Sequence, residues 1–298
     1  MVRRLFPAIV FSLLLFPVNG LRAQDQYFDS NGVKIHYRIE GHGEPVVLIH
    51  GFAVNGSFQW TVPGVTGALA KDYEVITIDN RGHGKSDKPH DPKKYGNEMA
   101  EDIVRLLDHL KIKKAHLVGY SMGGFMTLKL VALHPERILS ATTGGAGISK
   151  DFDQKFMDEL ADSLDHGKGI IPLLIRLNPP GEPKPTEERL KAINGVISSL
   201  NDASALAAVI RGMKGLAVTE DDLKNTKLPI LALIGDKDPL KKGVDEMRGH
   251  TPDLQIVEIH GADHMNAFGR PEFIKSLKEF LAAHGEKRNG KKTEGDSK

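Results

Sequence analysis

Short apolar runs, each bounded by Gly, Pro or Asp, recur along the middle of the chain and predict β-strands. The predicted strands are residues 34–39, 46–50, 73–79, 115–119, 138–143, 230–234 and 254–259. Four of these runs, within 46–50, 73–79, 115–119 and 230–234, are almost continuously apolar. Such runs are typical of strands that are covered on both faces, so we expect a mainly parallel sheet.

Amphipathic segments lie between the predicted strands and indicate helices. Residues 97–110 place four aliphatic side chains on one helical face, and residues 122–133 and 273–283 behave similarly. Strands that alternate with helices in this way form right-handed βαβ crossovers. The pattern therefore predicts an α/β fold, with a sheet that is covered by helices on both sides.

One interval interrupts the alternation. Residues 148–225 contain helical segments and several prolines but no convincing strand. About 75 residues are far too many for a loop inside a compact domain. We therefore predict a helical cap at 148–225, which divides a catalytic core into residues 24–147 and 226–285.

Both ends of the chain are expected to lie outside the folded core. Arg3 and Arg4 precede an apolar run at 5–18, and Ala23 offers a small residue for cleavage, so residues 1–23 read as a secretory signal. Export to the periplasm or medium, without a stable membrane span in the mature chain, follows from this hypothesis. An uncleaved N-terminal anchor is the alternative, although fourteen apolar residues are short for a span of about 30 Å. The polar run 286–298 is predicted to be disordered.

Composition and charge exclude several classes of protein. The 298 residues include no cysteine, which excludes a disulfide-stapled domain, a thiol nucleophile and cysteine-ligated metal sites. There are 40 Lys and Arg against 39 Asp and Glu. A net charge of +1 provides no basic surface for nucleic acid, so no nucleic-acid partner is expected, while the oligomeric state stays open.

The strongest chemical signal is a G-x-S-x-G sequence at a predicted strand–helix junction. Residues 119–124 read Gly-Tyr-Ser-Met-Gly-Gly and connect the strand 115–119 to the helix 122–133. This setting is the one in which a sharp turn exposes a nucleophilic serine, here Ser121. A glycine-rich phosphate loop is the alternative, but the spacing follows no phosphate-binding fingerprint.

A serine nucleophile needs a base, and the base needs an acid that orients it. His264 follows the predicted strand 254–259, and Asp238 follows the strand 230–234. The carboxyl ends of parallel strands meet at one edge of a sheet, so both residues are expected near Ser121. Asp236 is the rival acid, and a metal site at His260 and His264 is the rival use of the histidine. Such a pair needs helical geometry, which the loop does not provide, so no metal is expected.

Five motifs together resemble the α/β-hydrolase superfamily, in its branch of small serine esterases, haloperoxidase-like enzymes and C–C hydrolases. The resemblance covers about residues 27–284 and includes the Ser, Asp, His chain order. The motifs are His50-Gly51-Phe52, Asp79-x-Arg81-Gly82-His83-Gly84-x-Ser86, residues 119–124, Gly235-Asp236-Lys237-Asp238 and Gly261-Ala262-Asp263-His264. It implies an eight-stranded, mostly parallel sheet flanked by helices, with a cap inserted after strand 6.

The resemblance also implies an oxyanion hole made by the backbone N–H groups of Phe52 and Met122. Phe52 is expected to line the acyl pocket as well. Trp60, which follows this loop, is a candidate substrate contact, with a place in the core as the alternative. The mechanism needs no cofactor.

The leading hypothesis is a serine hydrolase that cleaves a small-molecule or lipid-like carboxylic ester through an acyl-enzyme. A C–C bond hydrolase, or a perhydrolase or haloperoxidase-like enzyme, on the same triad is the alternative within enzymes. Outside enzymes, a hydrolase scaffold can serve as a ligand-binding receptor. A catalytically inactive relative is disfavoured because all three triad positions are filled.

Overall fold

The computed structural model describes residues 24–149 and 152–285. The predictions of a signal at residues 1–23 and of a disordered tail at 286–298 lie outside the described residues.

Eight strands within the described residues form one sheet in the order β1-β2-β4-β3-β5-β6-β7-β8. Strand β2 pairs antiparallel with β1 and β4, and all other pairs are parallel. The strands are β1 Gln26–Asp29, β2 Lys34–Gly41, β3 Glu44–Ile49, β4 Tyr73–Ile78, β5 Ala115–Tyr120, β6 Ile138–Gly144, β7 Ile230–Gly235 and β8 Leu254–Ile259. The predicted mostly parallel eight-stranded sheet is confirmed.

The apolar runs of the sequence become the centre of this sheet. Every residue of β5 and β7 is buried, as is the second half of β3, whereas β8 at the edge is half-exposed. Strand β1 has no such run, since three of its four residues are exposed. It is therefore the one strand here that the hydrophobic pattern did not predict.

Two helical layers cover the two faces of the sheet. The helices of the core are α1 Val65–Leu69, α2 Asn97–His109, α3 Met122–Leu133, α9 Lys241–Asp245 and α10 Pro271–Ala283. Val47 and Ile49 of β3 pack in the apolar cluster that contains α2 and α3. Val46 and Leu48 pack in the cluster that contains α1 and α10. The alternation of side chains along a strand thus divides β3 between the two layers.

Five α-helices lie in the described part of the chain between β6 and β7, within the predicted insertion. They are α4 Gln154–Asp165, α5 Ile171–Arg176, α6 Glu187–Leu200, α7 Ala203–Gly212 and α8 Glu220–Leu223. Residues 205–210 of α7 are buried, whereas α6 buries no residue. The amide Nδ2 of Asn201 donates to the carbonyl of Ala53, 3.1 Å away, and so joins the insertion to the loop after β3.

Within the described residues, no single helix combines the length and the apolar character needed to cross a membrane. One bent pair of segments, Glu187–Leu200 and Ala203–Leu216 at 96°, passes the test by length and composition alone.

The register of the parallel strands brings several loops to one edge. Ile49 lies opposite Gly119, Gly119 lies opposite Thr143, and Gly235 lies opposite Ile259. The loops that follow β3, β5, β7 and β8 therefore emerge together, and the site is built from them.

Candidate active site

Ser121 occupies a strained turn between β5 and α3. Its backbone angles, φ 54° and ψ −117°, lie in a region that residues other than glycine rarely adopt. The turn is held on both sides, because Ser121 N donates to Gly144 O at 2.7 Å and Phe125 N donates to Ser121 O at 3.0 Å. The surrounding backbone thus fixes a conformation that would otherwise be unfavourable.

The glycines around Ser121 are required by close backbone contacts. A β-carbon on Gly119 would lie 2.0 Å from the carbonyl oxygen of Gly123, and one on Gly123 would lie 2.1 Å from that of Ile49. A β-carbon on Gly124 would lie 2.7 Å from Ala146 Cβ. Glycines at these positions therefore allow the tight connection between β5 and α3, which any side chain would obstruct.

His264 lies in the loop after β8, where it contacts both Ser121 and Asp238. Its Nε2 is 2.9 Å from Ser121 Oγ, and its Nδ1 is 2.8 Å from Asp238 Oδ2. The imidazole is nearly buried, with only 4% of the residue exposed. Both ring nitrogens are thus engaged, and the ring orientation suits transfer of a proton from the serine hydroxyl.

Asp238 is itself held in place. Its side chain is fully buried, and its Oδ1 accepts a hydrogen bond from Leu240 N at 2.8 Å. Behind the ring, Tyr120 OH donates to the carbonyl of His264 at 2.7 Å. Burial raises the pKa of Tyr120 well above its usual value, so its hydroxyl stays a donor.

The rival acid, Asp236, lies elsewhere. Its Oδ2 accepts from Gly261 N at 3.1 Å and is 2.8 Å from Nδ1 of the exposed His260. The hydrogen bond from Gly261 lowers the pKa of the Asp236 carboxyl. Asp238, and not Asp236, is therefore the carboxylate in contact with His264.

The alternative metal pair is not assembled. His264 uses its two ring nitrogens on Ser121 and Asp238, while His260 pairs with Asp236. In the part of the chain that the structure describes, no group of three or more His, Asp or Glu side chains is arranged to hold a metal ion.

The loop after β3 runs directly past the serine. A β-carbon on Gly51 would lie 3.3 Å from Ser121 Cβ. His50 Nδ1 donates to Gly51 O at 2.7 Å, and its Nε2 accepts from Asn80 N at 2.9 Å, which fixes a neutral tautomer. Burial lowers the pKa of His50 and so favours that neutral form. Since Gly51 O is held by His50, the N–H of Phe52, on the other side of the same trans peptide plane, points away from His50.

Met122 supplies the second amide that the sequence predicted for an oxyanion hole. It is the first residue of α3, and the first N–H groups of a helix have no intrahelical acceptor. The positive end of the helix dipole adds to its attraction for a negative oxygen. Met122 directly follows Ser121, and Phe52 directly follows Gly51, which lies against Ser121, so an oxyanion hole made by their two amides stays a prediction.

An apolar cavity of about 410 Å³ opens at Ser121 and His264. The core contributes Phe52, Met122 and Met265 to its wall, and α4, α5 and α7 contribute Leu, Ile and Met side chains. Six phenylalanines line it: Phe52, Phe58, Phe125, Phe152, Phe156 and Phe268. A wall of this kind binds an apolar group of a ligand more favourably than a charged group.

Two polar features of the cavity wall were not predicted from the sequence. Asp153 and Arg176 form a half-exposed ion pair at 3.1 Å, and the Arg176 guanidinium lies 4.5 Å from the centre of the Phe156 ring. Gln59 is 4% exposed, and its Nε2 has no hydrogen-bond partner among the described residues. A lone glutamine in a loop gives no sequence signal, so only the structure could reveal it.

Trp60 requires a correction. Its side chain is fully buried in the cluster with Val46, Leu48 and Val65, and it does not belong to the cavity wall. The reason is the π-helical turn Ser57–Thr61, which presents Gln59 to the cavity and Trp60 to the core. The expected contact of Trp60 with substrate is therefore replaced by a structural role, whereas Phe52 does line the cavity.

The sequence of this chain matches one protein family, described as the alpha/beta hydrolase fold, over residues 44–168. The chain is 27% identical over 257 residues to the dihydrolipoyllysine-residue acetyltransferase component of the acetoin cleaving system of Pseudomonas putida. That match covers 81% of the chain and 64% of the relative, so the chain spans less than two thirds of that relative's length.

Two further similarities extend over nearly all of the other protein. The chain is 28% identical over 263 residues to pimeloyl-(acyl-carrier protein) methyl ester esterase of Aeromonas hydrophila, which covers 81% of the chain and 96% of that protein. The solved structure of the enol-lactonase from Burkholderia xenovorans LB400 superposes with a TM-score of 0.73 at 24% identity. It covers 86% of the chain and 100% of the enol-lactonase, and at this identity the likeness concerns the fold alone.

Proposed function

We propose that this chain, which belongs to the α/β-hydrolase superfamily, is a serine hydrolase that cleaves carboxylic esters. One observation carries the proposal: contacts of 2.8 and 2.9 Å connect Asp238, His264 and Ser121, and the last two line an apolar cavity. The esterase named above acts on a carboxylic ester, and this agrees with the proposal.

In the first half-reaction, His264 Nε2 takes the proton of Ser121 as its Oγ attacks the ester carbonyl. Negative charge develops on the carbonyl oxygen, and the N–H groups of Phe52 and Met122 stabilise it. Each such donor contributes about 2.7–4 kcal/mol to the stability of the transition state. Protonated His264 then gives its proton to the leaving alcohol oxygen, and the acyl group stays on Ser121.

In the second half-reaction, His264 takes a proton from a water molecule that attacks the acyl-enzyme. The same two amides stabilise the second oxyanion, and the acid leaves as Ser121 recovers its proton. Throughout, Asp238 keeps Nδ1 protonated and stabilises the imidazolium that forms in each half-reaction.

The cavity supports an apolar acyl group of moderate size. The cavity volume of about 410 Å³ lies within the range of about 300–1,000 Å³ that small-molecule sites occupy. The six phenylalanines favour a hydrocarbon chain or ring, and the two charged side chains of the described wall, Asp153 and Arg176, pair with each other. We therefore propose esters of medium-length fatty acids as the substrate class.

Turnover of p-nitrophenyl hexanoate by the wild type and by Ser121→Ala tests this function. We expect hydrolysis with a burst of p-nitrophenol, because the acyl-enzyme accumulates, and a loss of about 10⁶ in kcat on removal of the nucleophile. Saturable binding of the ester without turnover would instead support the receptor hypothesis.

We also propose that the protein is exported. The two arginines at positions 3 and 4 and the apolar run at 5–18 support this proposal. The intact mass of the protein recovered from cells that express the full chain tests it, since retention of residues 1–23 contradicts cleavage.

A further inference from the structure

Gln59 is a buried polar group that the proposed mechanism does not use. Only 4% of the residue is exposed, and its Nε2 has no hydrogen-bond partner among the described residues. Buried amide groups without partners are rare in folded proteins, because an unmade hydrogen bond is costly. Since Gln59 lines the cavity, a polar atom of a ligand that reaches Nε2 would supply the partner that the described residues do not.

The carboxamide of Gln59 lies next to Gly51, in the loop after β3. Its Oε1 is 3.4 Å from the position that a β-carbon on Gly51 would take, and the same position is 3.3 Å from Ser121 Cβ. Gln59 and Ser121 thus both border the space beside the Gly51 α-carbon. A substrate carbonyl held by the Phe52 and Met122 amides would place the first carbons of its acyl chain within reach of this carboxamide.

The backbone presents Gln59 rigidly. Gln59 N donates to Asn55 O at 3.0 Å, and Phe58 N donates to Asn55 Oδ1 at 2.9 Å. Val62 N donates to Ser57 O at 2.9 Å, which closes the π-helical turn. Single π turns are often found at functional sites. The next residue, Trp60, anchors the turn in the core.

We propose that Gln59 is a specificity-determining residue that recognises an oxygen on the acyl chain close to the ester carbonyl. This inference rests on the proposed function and narrows its substrate class to medium-chain esters with a keto or hydroxyl group at C3. A primary amide both donates and accepts hydrogen bonds, so it pairs with either group. The rest of the chain lies against the phenylalanines of the cavity wall.

The test compares methyl 3-oxooctanoate with methyl octanoate, which has the same chain length, by measuring acid release. In the wild type and in Gln59→Met, the quantity is the ratio of kcat/KM for the oxo ester to that for the plain ester. Intrinsic reactivity of the esters cancels when the two ratios are compared. Because methionine has the length of glutamine but cannot donate or accept well, we expect the ratio to fall by at least about tenfold.

Controls separate recognition from structure. Met213→Leu, a change of similar volume elsewhere in the wall, should retain the wild-type ratio. Labelling of Ser121 by a fluorophosphonate shows that the site of each variant is folded. A ratio that is the same in Gln59→Met and wild type overturns the inference and leaves the proposed function intact. If the wild type hydrolyses neither ester, the proposed function fails, and the inference fails with it.

Discussion

At the scale of single residues, the site consists of side chains that are each held by a second group. Ser121 is held by the backbone of Gly144 and Phe125, His264 by Tyr120 and Asp238, and Asp238 by the amide of Leu240. Catalytic geometry must be kept within fractions of an ångström, and such supports supply it. Asp238 has the clearest single role, because its carboxylate, an acceptor 2.8 Å from Nδ1 of His264, favours the tautomer whose Nε2 accepts from Ser121.

Replacing Asp238 by asparagine should lower kcat by about 10⁴ while the protein stays folded, because an amide in this position favours the wrong tautomer of His264. Asp236→Asn is the matched control, since Asp236 contacts His260 and Gly261 at the surface, and it should change kcat by less than about threefold. Steady-state kinetics on p-nitrophenyl hexanoate and a melting curve for each variant provide the comparison. If Asp236→Asn lowered kcat more than Asp238→Asn does, the assignment of Asp238 as the acid that orients His264 would be wrong.

At the scale of secondary structure, the site depends on how closely α3 approaches β3. Gly123 in the first turn of α3 touches the carbonyl of Ile49, and no side chain fits between them. This contact brings the N-terminus of α3, with the Met122 amide, to the loop that carries Phe52. The glycines of the motif are thus packing residues, and their effect on activity follows from that packing.

Gly123→Ala should therefore destabilise the fold by about 3 kcal/mol or more, since the added carbon meets backbone that cannot move aside. Gly195→Ala is the matched control. Gly195 lies inside α6 with nothing near its missing β-carbon, so alanine should stabilise by about 0.5–1 kcal/mol. Urea unfolding measures the free energy of unfolding of both variants, which should fall for Gly123→Ala and rise for Gly195→Ala. Equal, small effects would show that α3 does not need this close approach.

At the scale of the whole molecule, a buried polar network in the loop after β4 supports the loop after β3, which passes Ser121. Asp79 accepts hydrogen bonds from the N–H groups of Gly56 and Lys85, at 2.9 Å each, and lies 2.9 Å from His36 Nδ1. Arg81 donates from Nε to Asp102 at 2.6 Å. His83 packs edge-on against His50 and Phe52, so the Asp79–Ser86 loop is joined to the oxyanion loop.

This network makes stability sensitive to acid. Burial, and secondly the neighbouring His50, lower the pKa of His83 to about 3 in the folded protein, against about 6.5 in an unfolded chain. Between those values the unfolded chain binds a proton that the folded one does not, so the free energy of unfolding falls as the pH falls from 6.5 toward 3. This one group contributes a slope of at most about 1.4 kcal/mol per pH unit.

Urea unfolding from pH 4 to 8 measures that slope, and His83→Asn should flatten it by about 1 kcal/mol per pH unit between pH 4 and 6. Asparagine keeps a donor for Arg81 O, which His83 Nδ1 contacts at 3.0 Å, but cannot titrate. Above pH 7 the two slopes should agree, which serves as the internal control. If the free energy of unfolding of His83→Asn changed with pH as steeply as that of the wild type between pH 4 and 6, groups other than His83 would cause the acid sensitivity.

Prediction from sequence succeeded where one physical signal dominated. Continuous apolar runs identified the buried strands, and the tight turn of residues 119–124 left little choice but glycine beside the serine. Strand β1 was missed because it lies at an edge with one buried residue in four. Trp60 was expected at the substrate and Gln59 was not predicted at all, since a π turn follows neither the helical nor the strand period. The sequence favoured Asp238 over Asp236, but both follow the same strand, so only the coordinates show which carboxylate contacts His264.

In the proposed mechanism, Ser121 is a nucleophile that His264 activates. A fluorophosphonate probe reacts with such a serine, and mass spectrometry of the digested protein locates the label. We expect one label per chain at Ser121, none in Ser121→Ala, and a reaction at least about 10³-fold slower in His264→Ala, which loses the base. A wild-type protein that stays unlabelled, or a Ser121→Ala variant that is labelled stoichiometrically at another residue, would contradict the account.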